Sequence, residues 1–227
     1  MQQCLIRVET DILILSFPQP VRTLSWAVLN GGLCHADYVV NHHVKKEATA
    51  TFLANPQDWL LSRVARLGLE GTVVGMATAV EMRFLAQSHF SDGTGVEVTC
   101  FATVGDGNAL TAGDRATFTD GAPHTINLIV LVRPGLRDEA MVEAVQIATE
   151  GRVRALHETE VLSRQSGLPA TGTGTDCITV ASLGEDHVRY CGKHTRLGEM
   201  IGRASYTAVK TGVEKGRAAL EDETISI

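Results

Sequence analysis

The order of apolar and polar positions predicts more strands than helices. Short β-branched or apolar runs between turn residues are typical of strands. The run at 125–132 is almost wholly apolar, as a central strand buried on both faces would be. The predicted strands are 5–9, 12–17, 23–29, 38–44, 72–80, 83–87, 96–104, 125–132 and 177–181.

Three segments have helical spacing instead. The first has Asn55 as its N-cap, Pro56 at its first position and Gly68 as its stop. The second covers about 137–164 and tolerates Gly151. The third follows Thr195, with apolar residues that recur at helical intervals.

The predicted fold class is α+β, because strands often follow one another directly. We expect one domain over 1–220, with a mixed, largely antiparallel sheet or sheets. About three helices would cover it, including a long C-terminal helix. Residues 221–227 are predicted to be an acidic tail. The 227 residues fit one domain.

Composition and charge narrow the functional class. The formal net charge is −6 and no basic cluster interrupts it, which argues against a nucleic-acid partner. The five cysteines are widely spread without a Cys-x-x-Cys pair, so a reducing, cytoplasmic location is expected. Neither a signal peptide nor a membrane span is predicted. The oligomeric state is open, and a homo-oligomer is compatible with the sequence.

Two segments in the first half concentrate glycine, asparagine and histidine. Asn30-Gly31-Gly32 is followed at short range by Asn41 and His42. A hairpin turn and an edge strand would explain them without function. A second turn, 103–109, includes Asn108. Its flexible backbone forms a tight turn or directs amides at a ligand oxygen.

Two further segments lie towards the C-terminus. Residues 171–176 combine two glycines, three threonines and Asp176 immediately before a strand. Asp176 is a candidate acid or base, or a cap of its own loop. Residues 190–199 gather Lys193, His194 and Thr195 at a helix start, where free N–H groups favour anions. Glu199 and Arg203 have the spacing of a surface ion pair.

The two C-terminal segments resemble the signature of the adenosylcobinamide amidohydrolase family. The matching runs are Gly-Thr-Gly-Thr-Asp at 172–176 and Gly-Lys-His-Thr-x-Leu-Gly-Glu-Met-Ile-Gly at 192–202. Earlier segments at 30–32, 41–42, 78–80 and 103–109 are similar to the family's other motifs, in order. The resemblance implies hydrolysis of the aminopropanol amide of adenosylcobinamide, a corrinoid, in corrinoid salvage.

Roles within that reaction are argued from the residue types. Hydrolysis of an amide needs an activated nucleophile, an oxyanion stabiliser and a proton for the leaving amine. Asp176 is the first choice of base, and His194 the natural proton donor since histidine exchanges protons near neutral pH. Lys193 or helix N–H groups would stabilise the oxyanion. Alternatively, Glu199 is the base and Asp176 orients His194.

Substrate binding is assigned to the remaining polar positions of these segments. They are Asn30, Gly31, Gly32, Asn41, His42, Asn108, Thr173, Gly174, Thr175 and Thr195. His42, His43, His194, Asp176 and Glu199 are residue types that bind metals, so a catalytic metal is an open alternative. No two histidines have metal-ligand spacing on one helix, so neither a metal nor another cofactor is expected. Two rival classes stay open: a non-catalytic corrinoid or tetrapyrrole carrier, and a nucleotide-dependent enzyme, although the phosphate-loop sequence is missing.

Overall fold

The structure, a computed structural model, describes residues 4–116 and 124–225. Helices α1 to α4 are Thr49–Ala54, Pro56–Arg66, Asp138–Glu158 and Arg196–Ile225. The strands, β1 to β12 in chain order, are Leu5–Glu9, Ile12–Ser25, Gly32–His43, Val73–Thr78, Ala86–Ser91, Glu97–Val104, Ala109–Leu110, Ile126–Arg133, Gly135–Leu136, Gly172–Thr173, Cys177–Ser182 and Asp186–Val188. The α+β prediction, with a long C-terminal helix, is confirmed.

The main sheet of the described residues has eight strands and mixed pairing. Its order is β4-β3-β2-β11-β8-β6-β5, and β1 pairs with β2. Strand β2 is long, and its register against β3 shifts between Ser16 and Val21, around Pro18 and Pro20. Proline cannot donate a ladder hydrogen bond, so the strand is interrupted there. Its first part pairs with β1 and its last part with β11.

The sheet folds back on itself at this interruption. Strands β4 and β11 are separated by two strands in the sheet order, yet the hydroxyl of Thr179 is 3.4 Å from the sulfur of Met76. Only a folded sheet brings these side chains together, since neighbouring strands lie about 4.8 Å apart. One layer holds β1, β3, β4 and the start of β2, while the other holds β11, β8, β6 and β5. An apolar core that includes Leu13, Phe101 and Ile129 fills the space between them.

Helices cover the outer faces of both layers. Helices α3 and α4 pack on the layer of β6, β8 and β11, through a core that includes Met141, Ile201 and Leu128. Helix α2 packs on the opposite layer through Trp59, Leu60 and Val64. The order is therefore helix, sheet, sheet, helix, which places the strand ends of both layers side by side.

Most of the predicted elements are present, with shifted ends. Asn55 caps α2 as predicted, since its side chain accepts a hydrogen bond from the Asp58 N–H. The predicted strand at 83–87 is a 3-10 turn at Met82–Phe84 followed by β5. Helix α3 ends at Glu158 because Glu160 adopts a left-handed φ of 54°. Helix α4 continues to Ile225, into the predicted acidic tail, directly after the good helix formers Arg217, Ala218, Ala219 and Leu220. Residues 226 and 227 of that tail lie outside the described residues.

Candidate active site

Strand ends from both layers meet at one edge of the sandwich. Val104, at the end of β6, pairs with Ile126, at the start of β8. Cys177, at the start of β11, pairs with Asn127 on β8. From the facing layer, the end of β4 reaches the same place, because Asn127 Nδ2 donates to the Ala77 carbonyl at 2.8 Å. Polar residues from four strands therefore converge here.

A buried hydrogen-bond network joins the two layers at this edge. Asn41 Nδ2 donates to Thr103 Oγ1 at 2.9 Å, and Asn127 Nδ2 donates to Asn41 Oδ1 at 2.9 Å. Thr125 Oγ1 donates to the Thr175 carbonyl at 2.8 Å, which attaches the glycine- and threonine-rich loop. Asn41, Thr103, Thr125 and Asn127 are all buried. These four residues together with the loop 172–176 are called the strand-end cluster below.

Asp176 holds the loop in place. Its Oδ1 accepts from the Thr173 hydroxyl at 2.5 Å and the Ile126 N–H at 3.0 Å. Its Oδ2 accepts from the Thr173 N–H at 2.8 Å and lies 2.9 Å from Arg152 Nη1. The carboxylate side chain is only 8% exposed. Since an ionised carboxylate offers about four acceptor positions, all of them are occupied.

Glycine is required where this loop passes the ion pair. A Cβ on Gly172 would collide with the Asp176 carboxylate and press on the Arg152 guanidinium. Gly174 and Thr175 are exposed beside it. The loop thus combines a closely packed anchor with an exposed tip, whose backbone is open to a ligand.

The turn after β6 packs against a histidine, His124, which lies just before β8 at the same edge. A Cβ on Gly107 would collide with the His124 ring, and Gly105 lies close to both His124 and Val80. The Thr175 hydroxyl is 3.4 Å from the His124 carbonyl. His124 is partly exposed. Asn108 belongs to this turn, so the turn brings a predicted binding residue to the strand-end cluster.

The start of α4 has the local structure that the sequence predicts. Thr195 caps the helix, because its Oγ1 accepts from the Gly198 N–H at 3.0 Å. Gly198 packs against the backbone of Cys191 and Gly192, and Gly202 packs against Gly151 of α3. A Cβ on Gly198 would collide with the Cys191 carbonyl, and a Cβ on Gly151 would collide with the Gly202 carbonyl.

The charged side chains at this helix start form exposed pairs. Lys193 Nζ donates to Glu150 Oε2 at 2.7 Å. Glu199 pairs with Arg196 at 2.7 Å and with Arg203 at 3.4 Å, as the spacing predicts for Arg203. The hydrogen bond from Arg196 is the main reason why the pKa of Glu199 is lowered. His194 is exposed, and its ring lies over Gly192.

The structure does not bring Asp176 and His194 together. Helix α4 runs from one edge of the sheet to the other, since Cys191, just before α4, binds the Ala140 carbonyl of α3, whereas Gly212 packs on Val104 at the strand-end cluster. Arg196 and Gly212 are therefore about 24 Å apart along the helix. His194 and Glu199 lie towards the far edge, whereas the Lys193 side chain reaches Glu150, two residues before Arg152 on α3. Asp176 does not orient His194.

His42 and the segment Asn30-Gly31-Gly32 lie away from the strand-end cluster. His42 follows Asn41 on β3, so its side chain lies on the opposite face, where its ring contacts Trp59 edge-on at 5.1 Å. Burial lowers the pKa of His42. In the segment Asn30-Gly31-Gly32, Asn30 has a φ of 52° and donates to the Val73 carbonyl at 2.8 Å. This contact holds the start of β4, away from its cluster end.

Sequence reasoning missed five residues of the cluster and its surroundings. They are Trp26, His124, Thr125, Asn127 and Arg152. Asn127 is one polar residue inside an apolar strand, a signal that was available in the sequence. Arg152 faces inwards from α3 and is a single cation among apolar positions. Trp26 and His124 lie in connections between strands. The Trp26 indole contacts the Asp176 carbonyl at 2.5 Å and the His124 ring contacts Gly107, and both partners are distant in sequence.

Other surface features lie outside the cluster. A depression of about 630 Å³ follows the outer face of α3, lined by Glu150, Arg154 and His157 among others. It is open to solvent and none of the strand-end residues lines it. Within the described ranges, no group of three or more His, Cys, Asp and Glu side chains is arranged to hold a metal ion. No described helix has the length and apolar content needed to cross a membrane.

Comparison with known proteins finds distant structural similarities. Among solved structures, it is similar to the PH0078 protein of Pyrococcus horikoshii (10% identity, TM-score 0.48, 92% of this chain and 79% of the other). It is also similar to a Burkholderia β-aminopeptidase (10%, TM-score 0.43, 92% and 80%) and to the L-aminopeptidase D-Ala-esterase/amidase of Ochrobactrum anthropi (10%, TM-score 0.41, 93% and 83%). These likenesses are distant.

Sequence comparison is more direct. The chain is 29% identical to an uncharacterized protein of Methanocaldococcus jannaschii over 86% of this chain and 83% of the other. It is 28% identical to the adenosylcobinamide amidohydrolase of Methanosarcina mazei over 82% and 87%. The family model described as adenosylcobinamide amidohydrolase matches residues 2–220. The chain thus belongs to the adenosylcobinamide amidohydrolase family, and its role is that of an amidohydrolase.

Proposed function

We propose that this protein hydrolyses the aminopropanol amide of adenosylcobinamide, giving adenosylcobyric acid and 1-amino-2-propanol for corrinoid salvage. The observation that carries this proposal is the family match over residues 2–220. The name of the Methanosarcina mazei relative supports the same substrate.

The strand-end cluster is the proposed reaction centre. Four segments of the family resemblance converge there from distant parts of the chain: Asn41, the end of β4, the turn after β6 and the loop 172–176. Buried, satisfied polar networks fix side-chain positions, and a hydrolytic centre needs fixed positions. The exposed loop tip beside the network gives a substrate access to it.

Asp176 stays the proposed base, under a condition set by its contacts. Its four acceptor positions are filled, so a proton reaches it only if the Thr173 hydroxyl passes one on or leaves its place. The Thr173 hydroxyl is 3.5 Å from the Thr175 backbone nitrogen of the loop tip. A hydroxyl held on a carboxylate is also the arrangement by which an enzyme activates a nucleophile.

His124 replaces His194 as the proposed proton donor at this centre. Its ring lies on Gly107, and its carbonyl is 3.4 Å from the Thr175 hydroxyl. His194 lies at the start of α4, towards the other edge of the sheet, as does Glu199. Histidine is the residue most often used to protonate a leaving amine. The exposed N–H groups of the loop tip are the proposed oxyanion donors, in place of Lys193.

The connection between β2 and β3 is the proposed platform for the corrin ring. Trp26 is 50% exposed, and its indole N–H donates to the Asp176 carbonyl at 2.5 Å. Val28 and Leu33, in and after the same connection, are also exposed. Aromatic and aliphatic groups beside a polar centre suit a large, flat ligand. The net charge of −6 is compatible with a cationic corrinoid.

Incubation of the protein with adenosylcobinamide, without ATP, tests the proposal. In ¹⁸O-labelled water, hydrolysis places one ¹⁸O atom in the new carboxylate, which mass spectrometry of the corrinoid detects together with loss of aminopropanol. The Trp26→Ala variant should raise KM more than it lowers kcat, because Trp26 contacts the ring rather than the amide. A corrinoid that is bound but recovered unchanged would support the carrier function instead.

A further inference from the structure

Strand β1 is an edge strand whose side chains are exposed on both faces. All five residues are exposed, including Leu5 at 68%, Ile6 at 42% and Val8 at 51%. It pairs with β2 on one side, and among the described residues no strand pairs with its other side. Natural proteins normally shield such an edge, because an open apolar edge strand recruits another strand.

The hairpin register shows which backbone groups point outwards. Glu9 pairs with Ile12 across a loop of two residues, and this pair must exchange both of its hydrogen bonds. Bonded and non-bonded pairs alternate along an antiparallel ladder, so Leu5 and Arg7 also bond to β2. The N–H and C=O groups of Ile6 and Val8 therefore point away from the sheet, ready to accept another strand.

The charges on β1 are complementary to a reversed copy of the same strand. Arg7 and Glu9 share one face and are 3.1 Å apart within the chain. An antiparallel copy centred on Val8 places Arg7 opposite Glu9 of the partner subunit, twice, in the closely spaced non-bonded positions. The bonded position at the centre is then occupied by Val8 and the partner's Val8.

Other registers with the same outward groups are less favourable. Centring on Arg7 places Arg7 opposite the partner's Arg7, which repels. Centring on Ile6 leaves Arg7 opposite the partner's Leu5. From the free edge, the exposed apolar residues and this charge pattern, we propose that β1 binds β1 of a second copy of this chain, antiparallel and centred on Val8. The two sheets become continuous in the dimer, whatever the substrate of the enzyme is.

Engineered cysteines test the register. In a Cys4→Ser background, Val8→Cys places two sulfurs across the two-fold axis with Cα atoms about 5.5 Å apart, within disulfide range. The matched Ile6→Cys variant has its Cα atoms about 14 Å apart and cannot form the bond. Mild oxidation should give a covalent dimer with Val8→Cys only. Cross-linking of Ile6→Cys instead would overturn the register.

Exchanging the charges of Arg7 and Glu9 tests whether the partner strand is β1 of a second copy. Sedimentation velocity should find a dimer for the unmodified protein, and Arg7→Glu or Glu9→Arg alone should weaken dimerisation about tenfold or more. The double exchange restores it, because both cross-strand pairs are opposite in charge again. Arg83→Glu, at another exposed pair with a glutamate two positions earlier, is the control and leaves the dimer intact. A protein that stays monomeric up to about 100 μM refutes the proposal.

Discussion

The strand-end cluster and the start of α4 are both polar, glycine-rich segments, but they use their polar groups differently. In the cluster, Asn41, Thr103 and Asn127 are buried and bond to one another across two sheet layers. At the start of α4, Lys193 and Glu199 are exposed and pair with charges on neighbouring turns and on α3. The first arrangement joins distant parts of the chain. The second consists of exposed ion pairs within α4 and between its start and α3.

This difference predicts that substitutions in the cluster cost more stability than the loss of an ion pair at the start of α4. Buried polar groups that lose a partner are costly because water cannot replace it, whereas exposed ion pairs are screened and contribute little. Glycines are needed in both regions, for close packing of Gly198 at the helix and of Gly172 at the loop. Sequence motifs that look alike can therefore mark a buried polar network in one place and helix packing in another.

Asp176→Asn should give the largest effect on catalysis. If Asp176 accepts the proton, kcat falls about 10²- to 10⁴-fold. Stability falls as well, because the amide NH2 of asparagine cannot accept from the donors that face one of the two oxygens. Stopped assays of corrinoid product, with binding measured separately, check this. Thr173→Val should cause a comparable loss if the hydroxyl passes on the proton. Arg152→Met is the control for structure, because it leaves a buried carboxylate unpaired and lowers stability by about 3–5 kcal/mol. Full turnover by a folded Asp176→Asn protein would remove Asp176 from the mechanism.

The two histidines separate the two regions directly. His124→Ala should lower kcat about 10²- to 10⁴-fold, because His124 lies at the strand-end cluster. His194→Ala should leave kcat almost unchanged, since His194 precedes the start of α4, which lies away from the strand-end cluster. Parallel kcat measurements on both variants, with circular dichroism to verify folding, are sufficient. The reverse result would move the reaction centre to the start of α4.

Much of the fold could be predicted because strand and helix periodicity is local. The ends of α2 and β1 and the cap at Thr195 follow from residues close in sequence. The cluster depends on the folding of the sheet at Pro18 and Pro20, which puts Asn41 beside Asn127. Local patterns contain no information on that long-range contact. A hydrogen bond between Asp176 and His194 was one alternative drawn from their motifs, but the contacts of Asp176 are with Ile126, Thr173 and Arg152 instead.

Asn127→Leu should lower stability more than the neutralisation of an exposed charge at the start of α4. Leucine has a similar volume but cannot donate, so the Asn41 side-chain oxygen and the Ala77 carbonyl lose a partner. An unpaired buried group costs about 1–3 kcal/mol. The matched variant, Lys193→Met, removes an exposed pair and should cost at most about 1 kcal/mol. Urea denaturation of both measures the difference, and equal losses would mean that the cluster is not a buried network in solution.

Glu199→Gln should have the smallest effect, and its pH dependence identifies it as a surface group. The pKa of Glu199 is lowered in the folded protein, chiefly by its hydrogen bond to Arg196 and also by Arg203. Its charged form therefore stabilises the fold above the ordinary glutamate pKa, and that contribution disappears as the pH falls through the lowered value. The variant should lose a little thermal stability at neutral pH and none in strong acid, where the wild-type carboxylate is protonated as well. Turnover at neutral pH should stay at the wild-type level, because Glu199 lies at the far edge of the sheet from the strand-end cluster. Thermal midpoints measured over the acidic range, together with kcat, test both statements. A collapse of kcat with unchanged stability would make Glu199 the base and place the reaction at the start of α4.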